Sequence, residues 1–336
     1  MRYSFSTNRR RKTLSDWPSV VLIIAVCVLC WAIGYIHSVG FPIIENSAVI
    51  PLWGGFCKIL SNRAIAYILG LLLFLLSAFV IQRINDIEMI IRERTRLPFM
   101  LFILFVSTNA GLLPFKEITF ALICIVFVIY ELFNSYQLPE AAGKLFNAGV
   151  FIGIAGLFVP QVLLFLPLLW IGMYQFRSLK YKSFMASLIG VLIIYWFVLA
   201  WCVWKHDFSM FTSLYSSLAS LNVFSISAFF RIYLIGFAGV LLLLVMAFFH
   251  IKMNAFNNSV RIRQMLSFLL NMSVWSIVML LLYGNDADSL MAILYIPVSV
   301  LIASFLEDVR YRIRLVLYYF VISVLLFSFV IRVWIF

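Results

Sequence analysis

Hydrophobic and polar positions come in blocks along this chain. Apolar runs stand at about 18–36, 64–82, 98–113, 118–134, 145–159, 161–176, 183–203, 229–250, 264–283, 289–306 and 315–335, eleven in all. An unbroken apolar run of about 20 residues predicts a helix that crosses the ~30 Å hydrocarbon core of a bilayer. The third to sixth runs are shorter and lie near the lower limit for a span. The pattern predicts an all-α integral membrane protein of about eleven transmembrane helices.

The stretch Gly143 to Arg177, GKLFNAGVFIGIAGLFVPQVLLFLPLLWIGMYQFR, organises the middle of the chain. Two apolar runs are broken by Val159-Pro160-Gln161 and closed by Arg177. A helix–Pro–helix hairpin fits, because Pro160 has no N–H to donate and disfavours helix at the residue before it. Gly149, Gly153 and Gly156 recur at three- and four-residue spacing on one face. Small residues so placed let backbones approach closely in lipid. The hairpin is expected to pack by this glycine face and to show its Leu/Phe face to lipid. Its second half is bulky throughout.

Composition sharpens this reading. Only 11% of the residues are charged and 65% are hydrophobic, whereas a soluble domain carries about 25% charged residues. No stretch between the runs is polar enough to fold alone. The chain therefore divides into a basic tail, 1–17, and one polytopic domain, 18–336. The tail precedes an apolar run with no small-residue cleavage site after it, and reads as part of a retained signal anchor.

The positions of the charges give a topology. With the N-terminus inside and strict alternation, 19 of the 25 Lys and Arg residues fall on the cytoplasmic side. Lys58, Arg63, Lys116, Lys205, Arg231 and Arg332 fall outside. This bias follows the positive-inside rule, and it puts the C-terminus outside. The net charge of +12 is thus a topology signal and an attraction to anionic lipid headgroups. No clustered base-reading or stacking surface accompanies it, so no nucleic-acid partner is expected.

Two outer loops are long, 37–62 and 205–227. The first is too apolar for a free loop and is expected to lie in the interface, with Trp53 as an anchor. In the second, Phe208, Phe211, Leu214, Tyr215 and Leu218 recur at helical spacing between serines, which suits an interfacial helix. The cytoplasmic stretch 83–97 reads as a short interfacial helix. Cys27 and Cys30 form a CxxC inside an apolar run, without His or Asp partners, and are read as small apolar packing.

One helix, a long outer loop, a second helix ending in a basic loop and then the glycine-rich hairpin AGVFIGIAGLFVPQVLLFLPLLW follow in order. Over roughly residues 18–227 this layout resembles the GT-C superfamily of membrane glycosyltransferases. More narrowly, the chain resembles an uncharacterised family of multi-pass inner-membrane proteins from Bacteroidota, a domain of unknown function. The resemblance implies a bacterial inner-membrane protein of envelope biogenesis. It implies transfer of a sugar from a polyprenyl-phosphate donor on the outer face. GT-C enzymes usually carry an aspartate in the first outer loop, as base or metal partner. Here that loop has no aspartate, and its sole acid is Glu45. A non-catalytic scaffold or assembly partner of an envelope complex is the alternative expectation.

On the enzyme reading, Glu45 is the catalytic residue, as the base for an acceptor hydroxyl or a partner of a divalent cation. No cofactor signature is present beyond that weak cation option. Lys205, His206 and Arg231 are the candidate substrate-binding residues. The cations suit a lipid phosphate or diphosphate, and an imidazole transfers protons near neutral pH. Membrane lipid, a polyprenyl-phosphate-linked sugar and protein partners are the expected contacts. Three further sites have plainer readings. Glu131 lies near the inner end of the fourth run, and a proton path would need more buried acids than this one. Asn109 and Asn271 read as interhelical hydrogen-bonders. Asp286 and Asp288 read as turn residues beside Gly284 and Asn285.

Overall fold

The structure is a computed structural model. It describes residues 17–39, 62–91, 95–138, 140–206, 218–219, 234–253, 259–308 and 311–335. Among these every regular element is helical. The helices are α1 (Trp17–Ile36), α2 (Arg63–Glu88), α3 (Leu97–Ser107), α4 (Glu117–Phe133), α5 (Ala142–Phe158), α6 (Leu166–Gln175), α7 (Tyr181–Lys205), α8 (Leu234–Met253), α9 (Val260–Leu282), α10 (Ala287–Asp308) and α11 (Tyr311–Ile335). Each apolar run of the sequence carries one of them. The run 161–176 begins as a 3-10 helix, Pro160–Phe165, before α6. Among the described residues five helices are long and apolar enough to cross a membrane: α2, α7, α9, and the stretches Ala287–Glu307 of α10 and Leu315–Trp334 of α11.

Burial sorts the helices by position. A helix that is apolar all round belongs in a core, and α3, LPFMLFILFVS, is buried at every residue but Phe99. The helix α10 is the hub, packing on α3, α4, α8, α9 and α11. By contrast, α7 buries little beyond a stripe of Ser183, Ser187, Gly190 and Cys202. Its Trp196, Phe197 and Trp204 are 67–80% exposed. So large an exposed aromatic surface fits lipid and does not fit water. The fold is that of a membrane protein.

The central hairpin departs from expectation in one respect. Its glycine face does make a close contact, and the partner is α7. A Cβ on Gly149 would lie 2.2 Å from the Ser187 carbonyl oxygen, and one on Gly190 would lie 2.4 Å from that of Phe146. The phenylalanines on the other side do not face lipid. Phe127 stacks on Phe151 and Phe120 stacks on Phe158, at centroid distances of 5.2 and 5.1 Å, so that α4 covers this face. The second half also has one small-residue contact, since a Cβ on Gly172 would meet Leu132 and Phe268.

The stretch after Arg83 likewise differs from a separate interfacial helix. Here α2 runs on to Glu88, and Met89 turns the chain with a left-handed φ of 49°. The Asn85 side chain accepts from the Ile91 backbone N–H at 3.2 Å. Ile90 and Ile91 then fold into the core.

Candidate functional site

Two polar caps close the bundle at opposite ends, and the longer helices run between them. One gathers residues predicted to lie inside. Glu88, at the end of α2, forms an ion pair with Arg261 at the start of α9. The guanidinium lies 5.6 Å from the Tyr136 ring centroid. Lys144 donates to the Asn134 carbonyl at 2.8 Å. Near this cap, Asn147 donates to Glu131 at 3.3 Å, which gives that acid a structural partner.

The other cap gathers residues predicted to lie outside, and it is the richer one. Beyond α3 the chain enters Asn109, whose side-chain oxygen accepts from the Gly111 backbone N–H at 3.1 Å and starts a 3-10 turn. Lys116 donates to the Gly111 carbonyl. The Phe115 backbone N–H then donates to the Ala66 carbonyl at 3.3 Å. That crossing needs Gly70 beneath it, because a Cβ there would come within 3.0 Å of the Phe115 nitrogen.

Arg332, near the end of α11, reaches into this turn. It donates to the Asn109 side-chain oxygen, and its Nη2 lies 3.1 Å from Asp288 Oδ1. Its side chain is only 10% exposed and that of Asp288 is 30% exposed. Asn109 in turn donates to Tyr295 Oη at 3.4 Å, and the Tyr295 ring stacks on Phe105. The Asp288 carboxylate occupies the space a Cβ would need at Gly111, with all three of its terminal atoms within 2.3 Å of that position. Alongside, Gln161 at the hairpin bend donates to Asp286 Oδ2 at 2.6 Å. Tyr283 donates to the Leu218 carbonyl at 2.9 Å, tying the second outer loop to the same cap.

Glu117 stands at the head of α4, just outside the apolar run 118–134, and is half-buried. Burial pushes its carboxyl up to about 7, the neighbouring Asp286 adds to the rise and Lys116 opposes it. An acid raised above its unfolded value favours the folded state while it holds its proton. That contribution is complete below the unfolded value of about 4.3 and is lost as pH rises through 7. The thermal midpoint of the purified protein is therefore expected to fall between about pH 5 and 8. Glu117→Gln removes this residue's share of the fall. A Gln variant with an unchanged pH profile would place the titration elsewhere.

Of the sequence-predicted site residues, Lys205 and His206 are among the described residues. Lys205 and His206 end α7, both exposed. Lys205 Nζ lies 5.6 Å from the Trp201 ring centroid, and His206 turns the chain with a left-handed φ of 53°. Glu45, Arg231 and most of loops 37–62 and 205–227 lie outside the described residues, as do Trp53 and Asp207. Among the described residues no group of three His, Cys, Asp or Glu side chains comes together to hold a metal ion. Sequence reasoning missed Arg332, Gln161 and Lys116 as site residues. Arg332 did carry a signal, since an arginine inside an apolar run reads as functional or paired by default.

The fold and its caps define a class: a helical membrane protein whose terminal polar groups are bonded to one another across distant segments. The chain belongs to a family of unknown function, DUF6427, with the match covering residues 55–336. No curated protein and no solved structure matches it.

Proposed function

We propose that this is a multi-pass protein of the bacterial inner membrane. On this reading it serves envelope biogenesis as a non-catalytic scaffold, holding a partner protein at the outer face. One observation carries the reading. Arg332, Asp288, Asn109, Gln161, Asp286 and Lys116 are all engaged in bonds within the chain. Groups so engaged make a rigid outer platform, and they are poorly placed to bind and release a reactant. Blue-native electrophoresis and mass spectrometry of the complex solubilised from its own membranes are expected to show one partner at fixed stoichiometry. That stoichiometry is expected to survive Glu45→Gln, Lys205→Ala, His206→Ala and Arg231→Ala. Loss of glycan transfer in Glu45→Gln, at normal protein level, would overturn the reading.

A second reading is sugar transfer from a polyprenyl-phosphate donor. The residue that favours it is Glu117, since a carboxyl near 7 is matched to general-base work at neutral pH. Glu45 would then act as base or metal partner, and Lys205, His206 and Arg231 would neutralise the leaving phosphate. Glycan transfer lost in Glu45→Gln or in Glu117→Gln, at normal protein level, favours this second reading, and no transfer by the unmodified protein favours the first.

A further inference from the structure

The first three helices enclose an apolar slot that neither cap uses. Its volume is about 230 Å³, and its walls come from α1, α2 and α3. On α1 it extends from Val20 to Trp31, about 16 Å at the rise of an α-helix. The slot therefore runs along the helices. Its floor is buried, formed by residues such as Ile23, Phe74 and Met100. Its mouth is Ile24, Val28 and Leu75, which are 38–55% exposed, so it opens sideways onto the lipid-facing surface. Its polar lining atoms are already used, because Trp31 Nε1 donates to Ser107 Oγ at 3.2 Å. What fits such a slot is hydrocarbon.

The end of the slot at Trp31 leads to a cation. The Trp31 ring meets Tyr67 edge-on at 6.1 Å, Tyr67 meets Tyr35 edge-on at 5.6 Å, and the Arg63 guanidinium lies 4.1 Å from the Tyr35 centroid. Arg63 is half-exposed, at the predicted outer boundary. Among the described residues its partners are neutral: the Tyr35 ring and the Ser38 hydroxyl. From Trp31 to Tyr35 is about one helical turn, roughly 6 Å. A guanidinium so placed presents a fork of donors that suits a phosphate.

We propose that the α1–α3 slot is a binding site for an anionic membrane phospholipid, one hydrocarbon chain lying between Val20 and Trp31 and the phosphate resting on Arg63. The site requires no particular partner or reaction, so it stands or falls apart from the scaffold reading.

The test uses the full chain, stripped of lipid in detergent and titrated with phosphatidylglycerol, with bound lipid counted by native mass spectrometry. One tightly retained phosphatidylglycerol is expected. Val28→Trp closes the mouth from an exposed position and is expected to cut retention at least tenfold with an unchanged melting midpoint. Arg63→Gln is expected to weaken phosphatidylglycerol about tenfold, the factor that 1.4 kcal/mol represents, and to leave diacylglycerol, which lacks the phosphate, unaffected. Equal retention in Val28→Trp overturns the slot. Equal binding of diacylglycerol and phosphatidylglycerol by the unmodified chain overturns the role of Arg63. Complete displacement of phosphatidylglycerol by equimolar undecaprenyl phosphate overturns the phospholipid as occupant in favour of a polyprenyl chain.

Discussion

Replacing Arg332 with Leu is expected to destabilise the protein by about 2–4 kcal/mol. Removing one member of a fully buried charge pair costs about 3–5 kcal/mol, because the other charge is left uncompensated. This pair is less deeply buried, since Arg332 keeps 10% exposure and Asp288 keeps 30% and recovers some hydration. Asn109 loses a charged donor at the same time and keeps only the Gly111 N–H on that oxygen. Arg332→Lys should fall between the two. A single ammonium keeps the charge, yet it lacks the planar fork that reaches Asn109 and Asp288 together. The measurement is the unfolding midpoint in mixed micelles on titrating with dodecyl sulfate. A double-mutant cycle with Asp288→Asn isolates the pair, and a coupling of about 1–3 kcal/mol is expected for residues in one network. If Arg332→Leu unfolds with the unmodified protein, the cap is not what holds α11 to α10 and the turn after α3.

The helices were legible in the sequence because their cause is local. A run of apolar residues in lipid must satisfy its own backbone, and a helix does so within the run. The same reasoning located the break at Pro160 and the glycine contact of α5. What it could not supply was the partner of each face. The pattern assigns the Leu/Phe face of the hairpin to lipid, whereas Phe151 and Phe158 on that face stack on α4. In water, polarity separates a buried face from an exposed one. In lipid both faces are apolar, so composition does not separate them. The cap was hidden for a different reason. Arg332 lies 223 residues from Asn109 and 44 from Asp288, and no spacing rule connects them. Beside Gly284 and Asn285, Asp286 and Asp288 read in sequence as turn residues. The 3-10 turn Gly284–Asp286 is present, but both carboxylates reach across to other segments. The positive-inside pattern came closest to predicting the caps. It sorted the loops into two sets, and the polar contacts across the bundle join members of the same set.

The glycine contact between α5 and α7 gives the other large expected effect, and there a pair of substitutions settles the sign. Gly149→Leu should separate the two helices. A Cβ at Gly149 would sit 2.2 Å from a backbone oxygen, and a backbone cannot swing aside as a flexible side chain does. The cost of Gly149→Ala alone is about 1–3 kcal/mol for forced overpacking, set against about 1 kcal/mol that alanine gains in helix propensity. Leu adds three more carbons with no space for them, so the contact should be lost outright. With it goes the bond from Trp170 Nε1 to Ser187 Oγ at 3.3 Å, which ties α6 to the same stripe of α7. Gly143 is the control, since nothing lies within 4 Å of a Cβ placed there. Gly143→Ala in the first turn of the same helix should therefore stabilise by up to about 1 kcal/mol. Cysteines introduced at facing positions of α5 and α7 would read the separation directly through loss of crosslinking. An unchanged midpoint in Gly149→Leu would mean that the two helices pass farther apart than this geometry requires. The exposed aromatic face of α7 would then need another reason for its position, because its narrow small-residue stripe of Ser183, Ser187 and Gly190 is the surface by which it meets the bundle.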